Sequence, residues 1–186
     1  MRPWDFEPRY AADPDPWNYR GSRYERDKYR ATLAACGPGP FTRALELGGS
    51  IGVFSDLLAP RCRALVTIDA SATAVRDARA ALTTHPHADA RVGVLPADLP
   101  AGPFDLVVAS EILYYLSPAE LHDLLDRLRG ALAPGGAVVA VHWRPRTPER
   151  ALDADDVHDA LAARGWLEST LRIQSADYLL ERLRCR

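Results

Sequence analysis

The residues best placed to do chemistry lie in Leu45-Glu46-Leu47-Gly48-Gly49-Ser50-Ile51-Gly52, where a glycine-rich turn joins a short apolar run to a helical pattern. Small side chains in such a turn let a ligand rest against bare backbone. Asp69 follows at the end of the next apolar run, Ala64–Ile68. If the two runs are neighbouring strands of a doubly wound sheet, the Asp69 carboxylate reaches the hydroxyls of a ribose lying on the turn. A glycine turn with no ligand would leave the position of Asp69 unexplained. Adenosine cofactors share this arrangement, which leaves nicotinamide dinucleotides and S-adenosylmethionine both open. The glycine spacing separates them. A dinucleotide turn requires GxGxxG, whose glycines admit a pyrophosphate and close helix packing; the matching positions here are Gly48, Ser50 and Val53. What remains is Glu46-x-Gly48-x-Ser50-x-Gly52, which favours the sulfonium cofactor.

An α/β framework must position these residues. At 186 residues, 47% hydrophobic and 26% charged, the chain suffices for one domain with a buried core. A net charge of −2 without runs of like charge argues against a nucleic-acid partner. Residues 1–18, with Pro3, Pro8, Pro14 and Pro16, read as an irregular arm. Ser22–Cys36 reads as a helix stopped by Gly37-Pro38-Gly39-Pro40. Strands are then expected at Arg43–Leu47, Ala64–Ile68, Arg91–Leu95, Phe104–Ala109 and Ala137–His142. Between them come a helix over Val53–Ala59, with Val53, Phe54, Leu57 and Leu58 inward, and one from Ser71 through Leu82. A third starts at the capping box Ser117-Pro118-Ala119-Glu120 and ends by Pro134-Gly135-Gly136. Asp153 and Asp156 cap a last helix, closed by Gly165. The strands Trp166–Ile173 and Tyr178–Cys185 are joined so tightly that only antiparallel pairing fits. The expected fold is a Rossmann-like α/β sandwich, mostly parallel, with a C-terminal antiparallel strand pair. It divides into an arm and lid helix over 1–36 and a cofactor-binding domain over 37–186, one structural domain overall. Cys36, Cys62 and Cys185 read as reduced thiols of a cytoplasmic protein. Met1–Tyr10 fits neither a signal peptide nor an anchor, and no apolar run reaches the ~18 residues of a membrane span.

Taken together, these segments resemble the class I S-adenosylmethionine-dependent methyltransferases, and within them the NodS-like (nodulation protein S) group, whose founding member N-methylates a chito-oligosaccharide. Leu45–Gly52 with Leu58-Ala59-Pro60-x-Cys62, Thr67-Ile68-Asp69, and Val107–Leu116 with its Leu113-Tyr114-Tyr115-Leu116 carry the likeness. Asp15-Pro16-Trp17-x-Tyr19, Tyr24-Glu25-Arg26-x-Lys28-Tyr29 and Gln174-Ser175-Ala176-Asp177 add to it, so that it runs from about Asp15 to the C-terminus. Ser50 departs from the glycine most of the class has there; a small hydroxyl fits and could bond the cofactor. The resemblance implies the seven-strand methyltransferase sandwich, S-adenosylmethionine as donor with S-adenosylhomocysteine as product, and a small polar acceptor such as a sugar or amino sugar. The acceptor itself does not follow, because such proteins change substrate through loops.

On this reading Gly48, Gly49 and Gly52 form the backbone bed, Asp69 clamps the ribose, and Asp98 with Leu99 holds the adenine. Glu46, Ala70 and Ser110 complete the candidate cofactor contacts. The arm closes as a lid, with Trp17 and Tyr24 excluding water and Lys28 or Arg26 near the methionine carboxylate; aromatic faces suit a sulfonium. Plain packing of the arm is the competing role for Trp17 and Tyr24. Candidate bases are Glu111, His142 and His158, with Tyr115 orienting. His142 is the sharpest, since it ends a strand at the ligand edge, though a structural histidine would look the same. His85 and His87, flanking Pro86, read as solvated. No carboxylate–histidine cluster marks a metal site, so no metal is expected. Ser110-Glu111-Ile112-Leu113 also lacks the Pro-Pro-aromatic motif of nucleic-acid amino methylation. A nicotinamide-dependent reductase and a non-catalytic cofactor-binding subunit are the rival functions. Neither nucleic acid nor membrane is an expected partner, and monomer and homodimer stay open.

Overall fold

The computed structural model describes residues 6–186; Pro3 and the rest of the first five residues of the expected arm lie outside the described residues. Seven strands make one sheet: β1 (Ala44–Leu47), β2 (Leu65–Asp69), β3 (Ala88–Val92), β4 (Phe104–Ser110), β5 (Leu132–Trp143), β6 (Leu167–Gln174) and β7 (Tyr178–Cys185). Their order is β3-β2-β1-β4-β5-β7-β6. The first five run parallel, and β7 runs antiparallel to both β5 and β6, so the last strand inserts beside the parallel set.

Strand β4 is almost continuously apolar because helices cover both faces of the sheet. Leu106 and Val108 point into one layer, Val107 and Ala109 into the other. Helices α2 (Arg23–Cys36), α3 (Val53–Leu58) and α4 (Ala72–Ala81) fill the first layer through Tyr29, Phe54, Leu58 and Val75. Helices α5 (Pro118–Ala131) and α6 (Ala154–Ala162) fill the second through Leu121, Leu124, Leu125, Leu128, Val157 and Leu161. Their starts are set locally. Ser22 accepts the Glu25 amide, Ser71 the Ala74 amide, and Ser117/Glu120 and Asp153/Asp156 form capping boxes. The chain passes from β1 to one side, through β2 and β3, then returns to β1's other flank as β4. A sheet that reverses its winding there opens a crevice at the carboxyl ends of β1 and β4.

Several local expectations are corrected. The arm is not wholly irregular: α1 (Glu7–Ala12) is helical, with Pro8 in the first turn, where its missing N–H leaves no bond broken. Tertiary contacts of the buried Tyr10 hold this short helix, which propensity alone would not. The third strand is Ala88–Val92 rather than Arg91–Leu95. Its register against Leu65–Asp69 runs out at Val92, and the chain then turns, with the Val94 amide donating to Asp98 at 2.8 Å. Leu57 faces outward, 43% exposed, because α3 is a single short helix that a turn at Ala59–Arg61 closes, leaving Phe54 and Leu58 as its inward face. His85 and His87 are not simply solvated; their Nε2 atoms bond Asp56 and the Ala59 carbonyl, each at 3.0 Å, and brace the end of α3. No helix among the described residues is long and apolar enough to cross a membrane.

Leu57 and Leu58 therefore make a direct test. Leu58→Ala should cost about 2–5 kcal/mol in urea unfolding, as for a buried leucine, while Leu57→Ala should cost less than about 1 kcal/mol. Equal losses would contradict the orientation of α3.

Candidate active site

The glycine turn follows β1 and faces the end of β2. Gly48 and Gly52 have φ of 71° and 81°, in the left-handed region that side chains disfavour. A Cβ on Gly48 would come within 2.9 Å of Ile112, one on Gly52 within 2.8 Å of the Ala78 backbone, and one on Gly49 would overlap the Thr67 hydroxyl. Ser50 also lies in the left-handed region, at φ 50°, and two bonds hold it there. Its amide donates to Asp69 Oδ2 at 2.9 Å and its hydroxyl bonds Tyr10 Oη at 2.6 Å. Asp69 Oδ1 accepts the Ser71 amide at 2.9 Å. Burial raises the Asp69 pKa, and those backbone donors oppose the rise. A carboxylate has about four lone-pair directions, so two bonds to the backbone leave Asp69 able to accept from hydroxyls. Glu46, buried under the turn, accepts the Ser55 hydroxyl, and burial pushes its carboxyl up to about 7.

Three cavities converge on this edge. The first, about 220 Å³, lies among Gly48, Asp69 and Ala70, with apolar walls from Val94, Leu95 and Ile112. A small recess of about 30 Å³ is bounded by Glu46, Gly49, Ser50, Ser110 and Glu111. The third, about 540 Å³, is lined by Trp17, Tyr24, Lys28, Glu111, Tyr115 and Arg150, among others. Tyr115 and Phe6 border the first and third cavities, and Glu111 borders the recess and the third.

The structure thus brings Glu46, Gly48, Gly49, Asp69, Ala70 and Ser110 to one cleft, with Gly52 behind it against α4. Trp17, Tyr24 and Lys28 border the wider cavity instead. Asp98 and Leu99 do not line the cleft. Asp98 is exposed with its carboxylate on the Val94 amide, and Leu99 packs at the core edge, while Val94 and Leu95 line the cleft. The early end of β3 is the cause. Arg26 is exposed and bonds the Gly21 carbonyl, away from the turn. Lys28 Nζ, almost fully buried, lies 2.7 Å from Glu111 and 3.0 Å from Glu25, so its charge is committed to carboxylates.

Glu111 is the hub of the wider cavity. Besides Lys28 it accepts the Tyr114 hydroxyl and, at 2.9 Å, the Trp143 amide, and its own φ is 57°. Left-handed backbone at a non-glycine residue costs of order 1–3 kcal/mol and clusters at functional sites. The Arg150 guanidinium carbon sits 3.8 Å from the Tyr114 ring centre. His142 is no base here: it is wholly buried, lines none of the three cavities, and bonds His158 at 3.2 Å. Burial holds its pKa well below the usual histidine value. His158, equally buried, is removed from the cleft for the same reason. Among the described residues no group of three or more His, Cys, Asp or Glu side chains is arranged to hold a metal.

Sequence reasoning missed the helix that roofs the cleft. Glu7 of α1 accepts the hydroxyls of Ser71 and Thr73, each at 2.6 Å, Tyr10 holds Ser50, and Arg9 pairs with Glu149 at 2.9 Å. Phe6 packs edge-on against Tyr115 and Trp17, at 4.9 and 5.3 Å between centroids. The available signal was Glu7-Pro8 as a helix start with Tyr10 one turn on.

The seven-strand order, the glycine turn and the carboxylate at the end of β2 define a class I methyltransferase fold. Residues 6–147 match the family described as Nodulation protein S (NodS), and the chain belongs to that family. Nodulation protein S of Rhizobium tropici is 35% identical over 133 residues, which are 70% of this chain and 56% of that protein. Its counterpart in Sinorhizobium fredii is 32% identical over 133 residues, 70% of this chain and 62% of that protein. The chain spans only 56–64% of the length of three Nodulation protein S relatives that it matches. The crystal structure of the N-methyltransferase NodS from Bradyrhizobium japonicum WM9 in complex with S-adenosyl-L-homocysteine superposes with a TM-score of 0.89 at 28% identity. That match covers 100% of this chain and 99% of the other.

Glu46 yields a test of the buried turn. Its folded pKa lies above the ordinary 4.5, so the folded chain keeps a proton the unfolded chain releases. Stability from this group is therefore present at low pH, falls as pH rises from about 4.5 towards about 7, and levels off above. Glu46→Gln removes that slope. Urea unfolding at pH 5 and pH 8 should show the variant gaining roughly 2–3 kcal/mol on the parent across the interval; a gap independent of pH would contradict the burial of this carboxyl.

Proposed function

We propose that this chain is an S-adenosylmethionine-dependent methyltransferase acting on a small polar acceptor, by N- or O-methylation of a sugar or amino-sugar-like metabolite. The observation that carries the reading is that the cavity bounded by the glycine turn and Asp69 meets a wide, aromatic and polar one at Phe6 and Tyr115, while Glu111 joins the recess beside the turn to that same wide cavity. The match to a NodS N-methyltransferase with S-adenosylhomocysteine supports it.

The residues present fit the cofactor. Val94, Leu95 and Ile112 offer apolar walls to an adenine, Asp69 keeps capacity for ribose hydroxyls, and a Cβ on Gly48 or Gly49 would intrude on the turn's close packing. Ser110 and the small recess beside Gly49 and Ser50 would take the amino-acid end. When bound, the cofactor supplies a methyl group already activated on a sulfonium. Positioning and exclusion of water are then the main tasks left to the protein. Helix α1 excludes water through Phe6 and Tyr10, and Tyr115 separates the two cavities. Glu111 faces the acceptor side, fixed by Lys28, Tyr114 and the Trp143 amide. From there it orients an acceptor hydroxyl or amine and takes the proton that methylation releases. The aromatic walls of Trp17, Tyr24 and Trp143 suit the apolar face of a sugar ring, while Arg150 and Glu149 meet its hydroxyls.

Calorimetry with S-adenosylhomocysteine should show one site per chain, and NADH should give no heat. Asp69→Ala should weaken binding by about 30-fold or more, the loss of charge-assisted bonds to two hydroxyls. Glu111→Gln should leave S-adenosylhomocysteine affinity within about threefold yet lower transfer of labelled methyl to an amino-sugar panel by about 100-fold. Heat from NADH alone, or full activity of Glu111→Gln, would refute the reading.

A further inference from the structure

Beneath Glu111 lies a buried polar chain that the methyl-transfer chemistry does not use. The Leu113 amide lies 3.3 Å from His142 Nε2, His142 Nδ1 lies 3.2 Å from His158 Nε2, and His158 Nδ1 lies 3.0 Å from Glu181 Oε2. His142 and His158 are wholly buried and Glu181 is 1% exposed. Arg172 Nη1 reaches the same Glu181 oxygen at 3.2 Å and closes the chain towards solvent. We propose that His142, His158 and Glu181 form a directional relay of neutral imidazoles that positions the Glu111–Tyr115 segment, with His142 as the positioning residue for Glu111.

The two ends of the chain fix its direction. A backbone N–H only donates, so His142 Nε2 must accept and carries no hydrogen; an ionised carboxylate only accepts, so His158 Nδ1 carries one. The single proton of His142 then sits on Nδ1 and is donated to His158 Nε2, which is bare. All three bonds are satisfied in one arrangement only. A second proton on either ring would set two hydrogens against each other, at Leu113 or between the rings. The positive charges of Arg150 and Lys28 also oppose a second proton on His142.

The relay touches the segment at both ends. His142 Nε2 holds Leu113, its ring meets the Tyr114 ring edge-on at 5.1 Å, and the amide of the next residue, Trp143, bonds Glu111. The Tyr114 hydroxyl donates to the same Glu111 oxygen, Oε2, as the Trp143 amide, while Lys28 holds Oε1. Glu111 sits at φ 57°, a conformation that persists only where its surroundings over-determine it. Apolar side chains of similar volume would fill this core as stably as two imidazoles and a carboxylate, but they would offer Leu113 no acceptor.

The role assigned to the relay rests on Glu111 being the acceptor-side group, and its test needs neither acceptor nor cofactor. Long-range ¹⁵N–¹H spectra of the whole labelled chain should show His142 and His158 both as neutral Nδ1–H tautomers. In Glu181→Leu, where His158 loses its acceptor, exchange of the Leu113 amide should accelerate about tenfold or more. Glu181→Gln keeps an acceptor oxygen and should restore protection. S-adenosylhomocysteine affinity should stay within about threefold of the parent in both. A His142 ring protonated on Nε2, or Leu113 exchange in Glu181→Leu within about twofold of the parent, would overturn the proposal. The tautomers are read on the unaltered protein, so poor folding of a variant does not blunt the test. Failure to bind S-adenosylhomocysteine would remove the methyltransferase reading and leave the relay standing.

Discussion

A carboxylate at the end of a buried strand holds this cleft together. Asp69 accepts the backbone amides of Ser50 and Ser71, so one side chain fastens the glycine turn after β1 to the start of α4. Without it, Ser50 would have little reason to stay in the left-handed region, and the turn would lose its shape. The roof depends on the same two residues. Tyr10 bonds the Ser50 hydroxyl and Glu7 bonds the Ser71 hydroxyl, so α1 is anchored on atoms that Asp69 has already placed. Ser50, where most of the class has glycine, joins its hydroxyl to Tyr10 of α1.

A second carboxylate organises the other half. Glu111 stands at the end of β4, next to the switch in winding order, and draws Lys28 from α2, Tyr114 from the following turn and Trp143 from β5. The two carboxylates are used differently. Asp69 takes one neutral amide on each oxygen, keeps lone pairs free and faces an apolar-walled slot; Glu111 shares a buried ammonium with Glu25 and faces a wide polar cavity. That contrast suits a nucleoside on one side and a hydroxylated acceptor on the other.

Much of this was legible in the sequence, for reasons of local physics. Capping boxes at Ser117 and Asp153, and strands that are apolar on both faces, locate elements without any knowledge of their neighbours. The glycine turn and Asp69 are close in space because β1 and β2 pair in register, which follows from their alternation with helices. The failures are tertiary. Helix α1 is too short to hold itself and exists through Tyr10, Glu7 and Arg9, whose partners are all distant in sequence. The end of β3 depends on its pairing with β2 rather than on its own polar sequence, and past that end it is Val94 and Leu95 that line the cleft. His142 lies beside the carboxyl end of β5, and its burial under Tyr114 and against His158 has no local signature. Lys28 was expected near a cofactor, and a helix pattern alone could not show that its partner is Glu111, across the fold.

The most direct measurement is a crystal structure of the chain grown with S-adenosylhomocysteine. The nucleoside should lie between the glycine turn and Val94-Leu95, with both ribose hydroxyls bonded to Asp69 and the sulfur facing the boundary of Glu111 and Tyr115. A nucleoside seated elsewhere, or an Asp69 carboxylate that touches only Ser50 and Ser71 with the ligand present, would contradict the account.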